Sequence, residues 1–540
     1  MESRSTAADP AVSSALVQTP LSPEQSARLL EYIRGRRWFR GKARPVRELE
    51  LLDAVPLSAA GRDLALFVVR VAYSSDDAAE TYVLPLAWTP DRAAAGTALF
   101  PLRDGVVYDP SGSDWLSLEL LALFLRERTP GKSGRIVARP SPALQTRAAP
   151  GHARFEPHVP SGEQSNTSVF FGEEFMLKLF RQLEVGENPD VELVEFLWAH
   201  GYHHVPEPLG DVYYERAGSR ATLGIAQRFV PSEGSAWDVT LEILQRSLQL
   251  ARTLDPEHAL SSLPKGDLLD IAGQPPSEQL ESFLGAYAPF ATLLGERTAE
   301  LHRALASDHG SLAFRPEPFD TEYQTELANA ARERLRKAYQ LLERQRASLP
   351  GELQASVASA LDARQLLERT LDALSSVGIH AERIRRHGDY HLGQVLYGES
   401  DFTILDFEGE PAQALSERRR KGSALYDVCG MLRSFHYAAT VALQNEPAEE
   451  RASLARWSDA WYRWISAQFL CAYLVRARQG GHPVFLPAAP VELRALLQLH
   501  LIDKCSYELS YELNNRPAWV GVPLAGLSSL AESIRLSGLE

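Results

Sequence analysis

Apolar and polar positions along the chain follow two different patterns. Before residue 236, short apolar runs of strand length alternate with turn residues, whereas after it apolar residues recur every three or four positions, as in amphipathic helices. The clearest long helices are predicted over residues 280–306 and 322–346. The pattern therefore predicts an α+β, two-lobed protein with a small β-rich lobe, a break and a large helical lobe.

The β-rich half contains two groups of predicted strands. A segment rich in Pro, Arg, Ser and Ala, residues 129–151, separates the groups and is predicted to be a linker. Helices are predicted over residues 21–34, 115–126 and 191–200. The predicted strands lie at 64–71, 80–86 and 105–108 in the first group, and at 164–171, 175–180, 212–214 and 222–230 in the second.

Composition excludes several classes of protein. The 540 residues, 45% of them hydrophobic and 23% charged, indicate a soluble globular protein of more than one domain. A net charge of −14 argues against nucleic acid or anionic membranes as partners. No apolar run is long enough to span a bilayer, and Met1–Pro20 lacks the features of a signal peptide, so a cytoplasmic location is expected. Cys429, Cys471 and Cys505 form no metal or redox motif.

The strongest chemical signal lies in residues 386–411. Asp389 sits in a His/Gly-rich loop, and Asp406 follows a short strand-like apolar run. In kinases one Asp accepts the proton of the acceptor hydroxyl, an amide a few residues later holds a metal, and an Asp after the next strand holds the metals that bridge the phosphates. The spacing therefore predicts phosphoryl transfer with ATP and Mg²⁺. Asp389 is predicted to be the catalytic base, and the predicted metal ligands are Gln394, Asp406 and Glu408.

Two other interpretations of this segment are simpler. It could be a surface loop and a hairpin that contain acids by chance, but the complete spacing is hard to obtain that way. His387 and His391 lie four residues apart and could hold zinc. In a kinase loop, however, His387 more often braces the backbone, and His391 is predicted to contact the substrate.

A nucleotide site is predicted in the second group of strands. Lys178 lies between Leu177 and Leu179, where a strand lysine can pair with the α- and β-phosphates of ATP. The alternative is an edge lysine that points to water. The acid that would hold the lysine lies on the following helix, where Glu192 and Glu195 are both candidates. Glu192 is preferred because it is nearer the start of the helix.

The remaining nucleotide contacts are predicted on both sides of that lysine. Residues 164–168 carry hydroxyls and amides where many kinases have glycines, so backbone N–H groups with Ser165 or Ser168 would contact the phosphates. Residues 227–230 would bind adenine as a hinge, through Gln227 and Phe229.

Several segments together resemble the bacterial maltokinases, and the similarity extends over nearly the whole chain. The resemblance implies a bilobal protein-kinase-like fold, shared with aminoglycoside phosphotransferases, with an extra N-terminal cap sheet. It implies ATP- and Mg²⁺-dependent phosphorylation of maltose at the anomeric hydroxyl, which feeds α-glucan (glycogen) synthesis from trehalose, and association with trehalose synthase. The segments are Trp38–Arg44, Phe175–Arg181, Asn188–Glu192, Arg386–Gln394, Asp406–Pro411 and Asn515–Trp519.

A sugar site is predicted near the end of the chain. Lys504, Tyr507 (or Glu508) and Tyr511 share one helical face, which suits a disaccharide because aromatic rings stack on sugars. The alternative, an amphipathic surface helix, becomes less favoured once the resemblance is considered. Arg433 is a further candidate for substrate contact.

Three other functions compete with a maltose kinase. A related sugar or amino-sugar kinase, such as a glucosamine kinase, would be favoured by an acid placed to pair with an amine. An aminoglycoside kinase would need a strongly acidic pocket. A pseudokinase scaffold would have lost Asp389, Asp406 or Lys178, and all three are present.

These predictions divide the chain into four parts. The parts are a disordered tail over 1–20, an N-terminal cap subdomain over 21–130, a β-rich nucleotide-binding lobe over 131–235 and a helical C-terminal lobe with the catalytic loop and sugar site over 236–540.

Overall fold

The chain divides into two compact units, one rich in strands and one mostly helical. The first contains Met1–Glu195 and Pro206–Val230, and the second contains Phe196–Val205 and Pro231–Glu540. The computed structural model describes residues 15–18, 20–42, 44–59, 62–74, 78–92, 97–148, 156–160, 166–260, 266–374 and 376–537.

The first unit is built on two antiparallel sheets, named here the cap sheet and the lobe sheet. The strands are β1 (Val46–Ala59), β2 (Arg62–Tyr73), β3 (Glu80–Thr89), β4 (Thr97–Leu102), β5 (Gly105–Asp109), β6 (Arg128–Pro130), β7 (Arg135–Pro140), β8 (Pro157–His158), β9 (Asn166–Phe171), β10 (Phe175–Phe180), β11 (Gln182–Leu183), β12 (Pro208–Arg216) and β13 (Ser219–Arg228). The cap sheet has the order β1-β2-β3-β5-β4, with β11 paired to β3. The lobe sheet has the order β6-β7-β12-β13-β10-β9-β8.

Helices flank both sheets of the first unit. They are α1 (Ala15–Gln18), α2 (Pro23–Arg34), α3 (Asp114–Leu125), α4 (Pro142–Arg147) and α5 (Pro189–Ala199). Helix α2 begins with a capping box between Ser22 and Gln25 and with Pro23 at its first position, as its sequence predicts. It buries Leu29 and Ile33 in the core of the cap sheet. A second apolar core lies among side chains of α3 and the lobe sheet, including Phe124.

The hairpin of β9 and β10 carries the predicted nucleotide lysine. Its strands pair in antiparallel register, with Ser168 opposite Lys178 and Thr167 opposite Leu179. Gly172 closes the turn with a φ of +55°, which glycine adopts without the steric cost of a Cβ atom. The hairpin predicted from residues 164–180 is therefore present.

The second unit is helical apart from two small sheets. Its helices are α6 (Ala236–Ala251), α7 (Pro256–Leu260), α8 (Leu268–Ile271), α9 (Glu278–Leu284), α10 (Ala288–Leu305), α11 (Thr321–Gln345), α12 (Gln354–Leu374), α13 (Leu415–Arg418), α14 (Leu425–Gln444), α15 (Arg451–Ala477), α16 (Pro490–Asn515) and α17 (Gly521–Ser537). The sheets consist of β14 (Gly234–Ser235), β17 (Val395–Gly398) and β18 (Asp401–Ile404), and of β15 (Glu317–Pro318) with β16 (Glu382–Arg383).

Long helices form the core of the second unit. Helix α11 packs on α16 and α12 packs on α17, and their apolar faces share one buried cluster. The predicted catalytic segment, residues 386–411, follows β16 in the chain and contains β17 and β18. Among the described residues, no helix combines the length and apolar character that crossing a membrane requires.

The structure differs from the sequence prediction in two segments. Residues Ala15–Gln18, within the predicted disordered tail, form a helical turn that buries Leu16. The predicted linker contains β6, β7 and α4, with β7 paired to β12. Pro130 and Pro140 lie at strand ends, where a missing backbone N–H costs little, and Pro142 begins α4. The described part of this segment is therefore an integral edge of the lobe sheet.

Candidate active site

The predicted nucleotide lysine is held by a buried carboxylate. Lys178 lies on β10 with 8% of its surface exposed, and its Nζ donates to Oδ2 of Asp190 across 2.9 Å. Asp190 stands in the first turn of α5 and is 1% exposed. A buried ion pair of this kind fixes the ammonium group in one place, because either charge alone would be costly to bury.

Asp190 was missed by the sequence analysis, which named Glu192. Both acids lie on α5 and both are buried. Glu192 was preferred because it is nearer the start of the helix, and Asp190 is nearer still. The observed partner of Lys178 is Asp190, and a contact between Lys178 and Glu192 stays a prediction.

The other predicted nucleotide residues lie in the same unit. Ser168 lies within β9, next to Thr167, so the described part of the predicted phosphate loop is strand. Ser165 falls outside the described residues. Gln227 lies near the end of β13 and is buried, and the backbone N–H of Phe229 donates to the carbonyl of Glu174 across 3.2 Å.

In the second unit, the catalytic loop is fixed by Asp427. This residue of α14 is fully buried and accepts the backbone N–H groups of His387, at 2.8 Å, and Gly388, at 2.9 Å. Its Oδ2 also lies 3.3 Å from Nε2 of His302. Burial alone would raise the pKa of Asp427, but its hydrogen bond with His302 and its electrostatic interactions with His302, His387 and Arg386 together lower it. Asp427 is therefore an ionised anchor for the loop, and the sequence analysis did not identify it.

The ring of His387 braces the same loop. Its Nε2 lies 2.8 Å from the carbonyl of Leu405, and its Nδ1 accepts the backbone N–H of Asp389 at 3.3 Å. Both ring nitrogens are thus engaged with backbone groups, which suits the bracing role and not zinc. In His391, Nδ1 accepts the N–H of Gly393 at 3.1 Å, and burial lowers its pKa to about 4, so this ring is neutral near pH 7.

Asp389 has the environment of a general base. Its pKa is raised by burial, while Lys504 and His387 oppose that rise and the carboxylate of Asp406 adds to it. A carboxylate with a raised pKa takes a proton more readily than an ordinary Asp, which suits proton abstraction from a hydroxyl.

Two of the predicted metal ligands lie side by side. Nε2 of Gln394 donates to Oδ2 of Asp406 across 3.1 Å, so the amide and the carboxylate adjoin. Asp406 has a φ of +64°, a strained conformation that is concentrated at functional sites. Glu408 follows in the same loop and is partly buried. Carboxylate and amide oxygens are the hard donors that Mg²⁺ prefers, and these residues fit that ion.

The predicted sugar face lies on α16. Tyr507 donates its hydroxyl to Oε1 of Glu410 across 3.1 Å, and its ring stacks on that of Tyr511 with centroids 6.2 Å apart. Nζ of Lys504 lies 3.9 Å above the ring of Tyr426, a cation–π contact. Tyr511 is 42% exposed, so this face runs from a partly buried end to an open one.

The aromatic surface continues beyond Tyr511. The guanidinium carbon of Arg516 lies 5.2 Å from the ring centroids of Tyr511 and Trp519. Trp519 in turn stacks on Tyr437, with centroids 6.0 Å apart. We call the set Tyr507, Tyr511, Arg516 and Trp519 the aromatic strip.

Arg433 is buried beneath this face. Its guanidinium makes an ion pair with Glu508 at 2.7 to 3.1 Å, and its Nη1 lies 2.7 Å from Nδ1 of His436. Only 3% of Arg433 is exposed. The geometry gives Arg433 a bracing position behind α16, and its predicted contact with substrate stays a prediction.

Comparison with known proteins connects these features. Residues 32–109 match the family model of the maltokinase N-terminal cap domain. The N-terminal part of the chain is therefore similar to the cap domain of maltokinases. Curated relatives include the glucosamine kinase of Mycolicibacterium smegmatis, 26% identical over 373 residues that cover 68% of this chain and 78% of that protein. Another is the glucosamine kinase of Streptacidiphilus jiangxiensis, 25% identical over 379 residues that cover 68% of this chain and 72% of that protein.

Solved structures confirm the predicted kinase-like fold. A glucosamine kinase in complex with glucosamine, ADP and inorganic phosphate is 22% identical, with a TM-score of 0.58 over 91% of this chain and 96% of that chain. Crystal form A of a glucosamine kinase reaches a TM-score of 0.61 at 22% identity, over 96% of this chain and 98% of that chain. The prediction of a kinase-like fold with an extra N-terminal cap is therefore correct.

Proposed function

We propose that this kinase transfers the γ-phosphoryl group of ATP to the anomeric hydroxyl of maltose, giving maltose 1-phosphate and ADP. The observation that carries the proposal is the hydrogen bond from Tyr507 to Glu410. It joins the predicted sugar helix to the loop that follows Asp406, in the unit that also contains Asp389. A sugar seated on this helix face would have its reacting hydroxyl beside the catalytic carboxylate.

Asp389 supplies the proton chemistry in this proposal. As the sugar oxygen forms its bond to the γ-phosphorus, the bond from that phosphorus to the β,γ-bridging oxygen breaks and ADP leaves. The hydroxyl proton moves to the carboxylate of Asp389, whose raised pKa suits it as acceptor. His391, neutral near pH 7, can hydrogen-bond the sugar without adding charge.

The residues proposed to bind the nucleotide and its metal form two groups. Lys178, fixed by Asp190, would pair with the α- and β-phosphates. Gln394, Asp406 and Glu408 would hold Mg²⁺, which when bound neutralises charge on the transferred phosphoryl group. The solved glucosamine kinase with ADP and phosphate, which shares this fold, supports nucleotide use by the chain.

The aromatic strip supports an acceptor with two sugar rings. Tyr507 and Tyr511 lie one helical turn apart, and Arg516 with Trp519 extends the surface outward. A monosaccharide that reacts beside Asp389 would leave the outer part of the strip unused. A second glucosyl ring would stack there, and stacking on an aromatic ring contributes about 1–3 kcal/mol on comparable planar ligands.

Glucosamine is the second candidate acceptor. Glu410 is the acid that would pair with the amine of glucosamine, because its carboxylate is partly buried. Burial raises the pKa of Glu410, and the nearby charge of Asp389 raises it further. The named relatives that cover 68% of this chain are glucosamine kinases. In a maltose kinase, Glu410 would instead accept a neutral hydroxyl of the sugar.

A comparison of acceptors tests the two candidates. The kcat/KM is measured with maltose, glucose, trehalose and glucosamine, for the natural protein and for Glu410→Gln. We expect maltose to exceed glucose by about tenfold or more, the contribution of one stacked ring. If glucosamine is the best acceptor and Glu410→Gln selectively abolishes its phosphorylation, the assignment of maltose as acceptor is wrong. Glu410 would then be the acid that pairs with the amine of glucosamine.

The family resemblance adds two further predictions. The product would enter α-glucan synthesis from trehalose, and the kinase would associate with a trehalose synthase in the cytoplasm.

A further inference from the structure

Arg181 occupies a junction between the two sheets of the first unit. It follows β10 directly and is 4% exposed. Its Nε donates to Oγ1 of Thr167 across 2.7 Å, and its Nη2 donates to Oγ of Ser111 across 3.0 Å. Thr167 belongs to β9 of the lobe sheet, whereas Ser111 lies two residues after the end of β5 of the cap sheet. One guanidinium thus binds both sheets.

The backbone at this point is joined to the cap as well. The carbonyl of Arg181 accepts the N–H of Val83 in β3 at 2.8 Å, and the next two residues form β11, which pairs with β3. The guanidinium carbon also lies 5.9 Å from the ring centroid of Trp38 in the cap. The chain that leaves the nucleotide hairpin is therefore incorporated into the cap sheet.

One partner of Arg181, Thr167, lies next to the strand position that faces the nucleotide lysine. Thr167 precedes Ser168, which faces Lys178 across the hairpin, and Arg181 is three residues after Lys178 in the chain. A shift at Arg181 or Thr167 would therefore move the strand that aims the Lys178 ammonium. Misplacement of a phosphate-binding group by about 1 Å can lower a reaction rate on the order of a hundredfold.

The chemistry of the junction favours positioning over simple adhesion. A buried guanidinium carries a large desolvation cost and needs its donors satisfied, whereas apolar side chains of similar volume would hold two sheets together equally well. The planar donors of arginine instead fix both direction and distance.

We propose that Arg181 is a positioning residue through which the cap sheet sets the β9–β10 hairpin for nucleotide phosphates. The cap thereby contributes to nucleotide affinity without touching the nucleotide. This inference rests on the proposed ATP-dependent activity, but not on which sugar is the acceptor.

The test removes one hydroxyl on each side of the guanidinium. Thr167→Val keeps the shape of the side chain and deletes the acceptor in the hairpin, and Thr167→Ser restores the hydroxyl. Ser111→Ala deletes the acceptor in the cap. Its matched control is Ser113→Ala, the same change two residues along, where the hydroxyl donates to the carbonyl of Pro110 instead.

The readouts are ADP binding by calorimetry in the presence of Mg²⁺, the KM for ATP, the KM for sugar and the melting temperature. We expect Thr167→Val to weaken ADP binding about tenfold and Ser111→Ala about threefold, which is within the range of the net contribution of one intramolecular hydrogen bond. Thr167→Ser and Ser113→Ala should bind ADP as the natural protein does, and the KM for sugar should stay within about twofold.

Two results separate this inference from the proposed function. If Ser111→Ala and Thr167→Val lower only the melting temperature and leave ADP affinity unchanged, the junction is structural and the inference is wrong. A natural protein that neither binds ADP nor phosphorylates any sugar would instead refute the proposed function.

Discussion

Tyr507 donates its hydroxyl to Glu410 across 3.1 Å, and this bond links α16 to the loop after Asp406. Burial raises the pKa of Glu410, and the charge of Asp389 raises it further. The ring of Tyr507, the Glu410 carboxylate and the catalytic carboxylate thus share one electrostatic environment. Acceptor binding and proton abstraction are therefore expected to depend on each other in this enzyme.

Replacing Asp389 with Asn should abolish turnover and leave ATP binding nearly intact, because the carboxylate acts on the sugar proton and not on the nucleotide. In the natural protein, kcat/KM should fall on the acid side at a pH above the ordinary Asp pKa of about 3.9, since burial raises the pKa of Asp389. Turnover and ATP affinity are measured on the same preparation. Near-normal turnover of the variant would exclude Asp389 as the base.

Asp406→Asn should weaken both Mg²⁺·ATP binding and turnover, because the lost charge is the one proposed to hold the metals. Gln394→Ala removes a neutral ligand and should have a milder effect. The concentration of Mg²⁺ that gives half-maximal rate reports the difference. An unchanged Mg²⁺ requirement in both variants would contradict the metal assignment.

Tyr511→Ala should raise the KM for maltose about tenfold, since one stacked ring contributes on the order of 1–3 kcal/mol. The KM for ATP should stay within about twofold, and the melting temperature should change little because Tyr511 is 42% exposed. Glucose, which lacks the second ring, should be affected less. If only the melting temperature falls, α16 is scaffold and the sugar lies elsewhere.

Asp427→Asn should destabilise the fold by about 3 kcal/mol at neutral pH, because it removes a buried charge that His302 and two backbone amides require. The folded pKa of Asp427 is lowered, so its contribution is present above the unfolded value of about 3.9 and is lost as pH falls through the folded pKa. The difference in chemical denaturation between variant and natural protein should therefore narrow in acid.

The control for that prediction is Asp372→Asn. The side chain of Asp372 is 64% exposed, and the substitution breaks its salt bridge to Arg332. It should change stability by less than about 1 kcal/mol at any pH. Equal losses of folding stability in Asp372→Asn and Asp427→Asn would show that the buried charge of Asp427 contributes no more than an exposed salt bridge.

Local patterns in the sequence were sufficient for many elements. The hairpin of β9 and β10 follows from two apolar runs around Gly172, and α2 from its capping residues, because turns and caps depend on neighbouring residues. The bond between Gln394 and Asp406 fits the spacing that first indicated phosphoryl transfer. These features need no knowledge of distant contacts.

Other features depend on contacts between distant segments. Strand β7 is stabilised by pairing with β12, which a Pro- and Arg-rich sequence does not indicate. Asp427 lies among apolar residues of α14, and its role appears only when that helix reaches the catalytic loop. Asp190 holds Lys178 because of how α5 begins relative to β10, which the spacing of acids along one helix cannot determine.

The most direct test of the central claim is phosphorus NMR of the reaction product. Purified protein is incubated with ATP, Mg²⁺ and maltose, with Asp389→Asn as the control. We predict a new signal from a phosphate coupled to the anomeric proton of the reducing glucosyl ring, and no such signal with the variant. A product phosphorylated at any other hydroxyl, or glucosamine phosphorylated in preference to maltose in a mixed reaction, would contradict the assignment of this enzyme as a maltose 1-kinase.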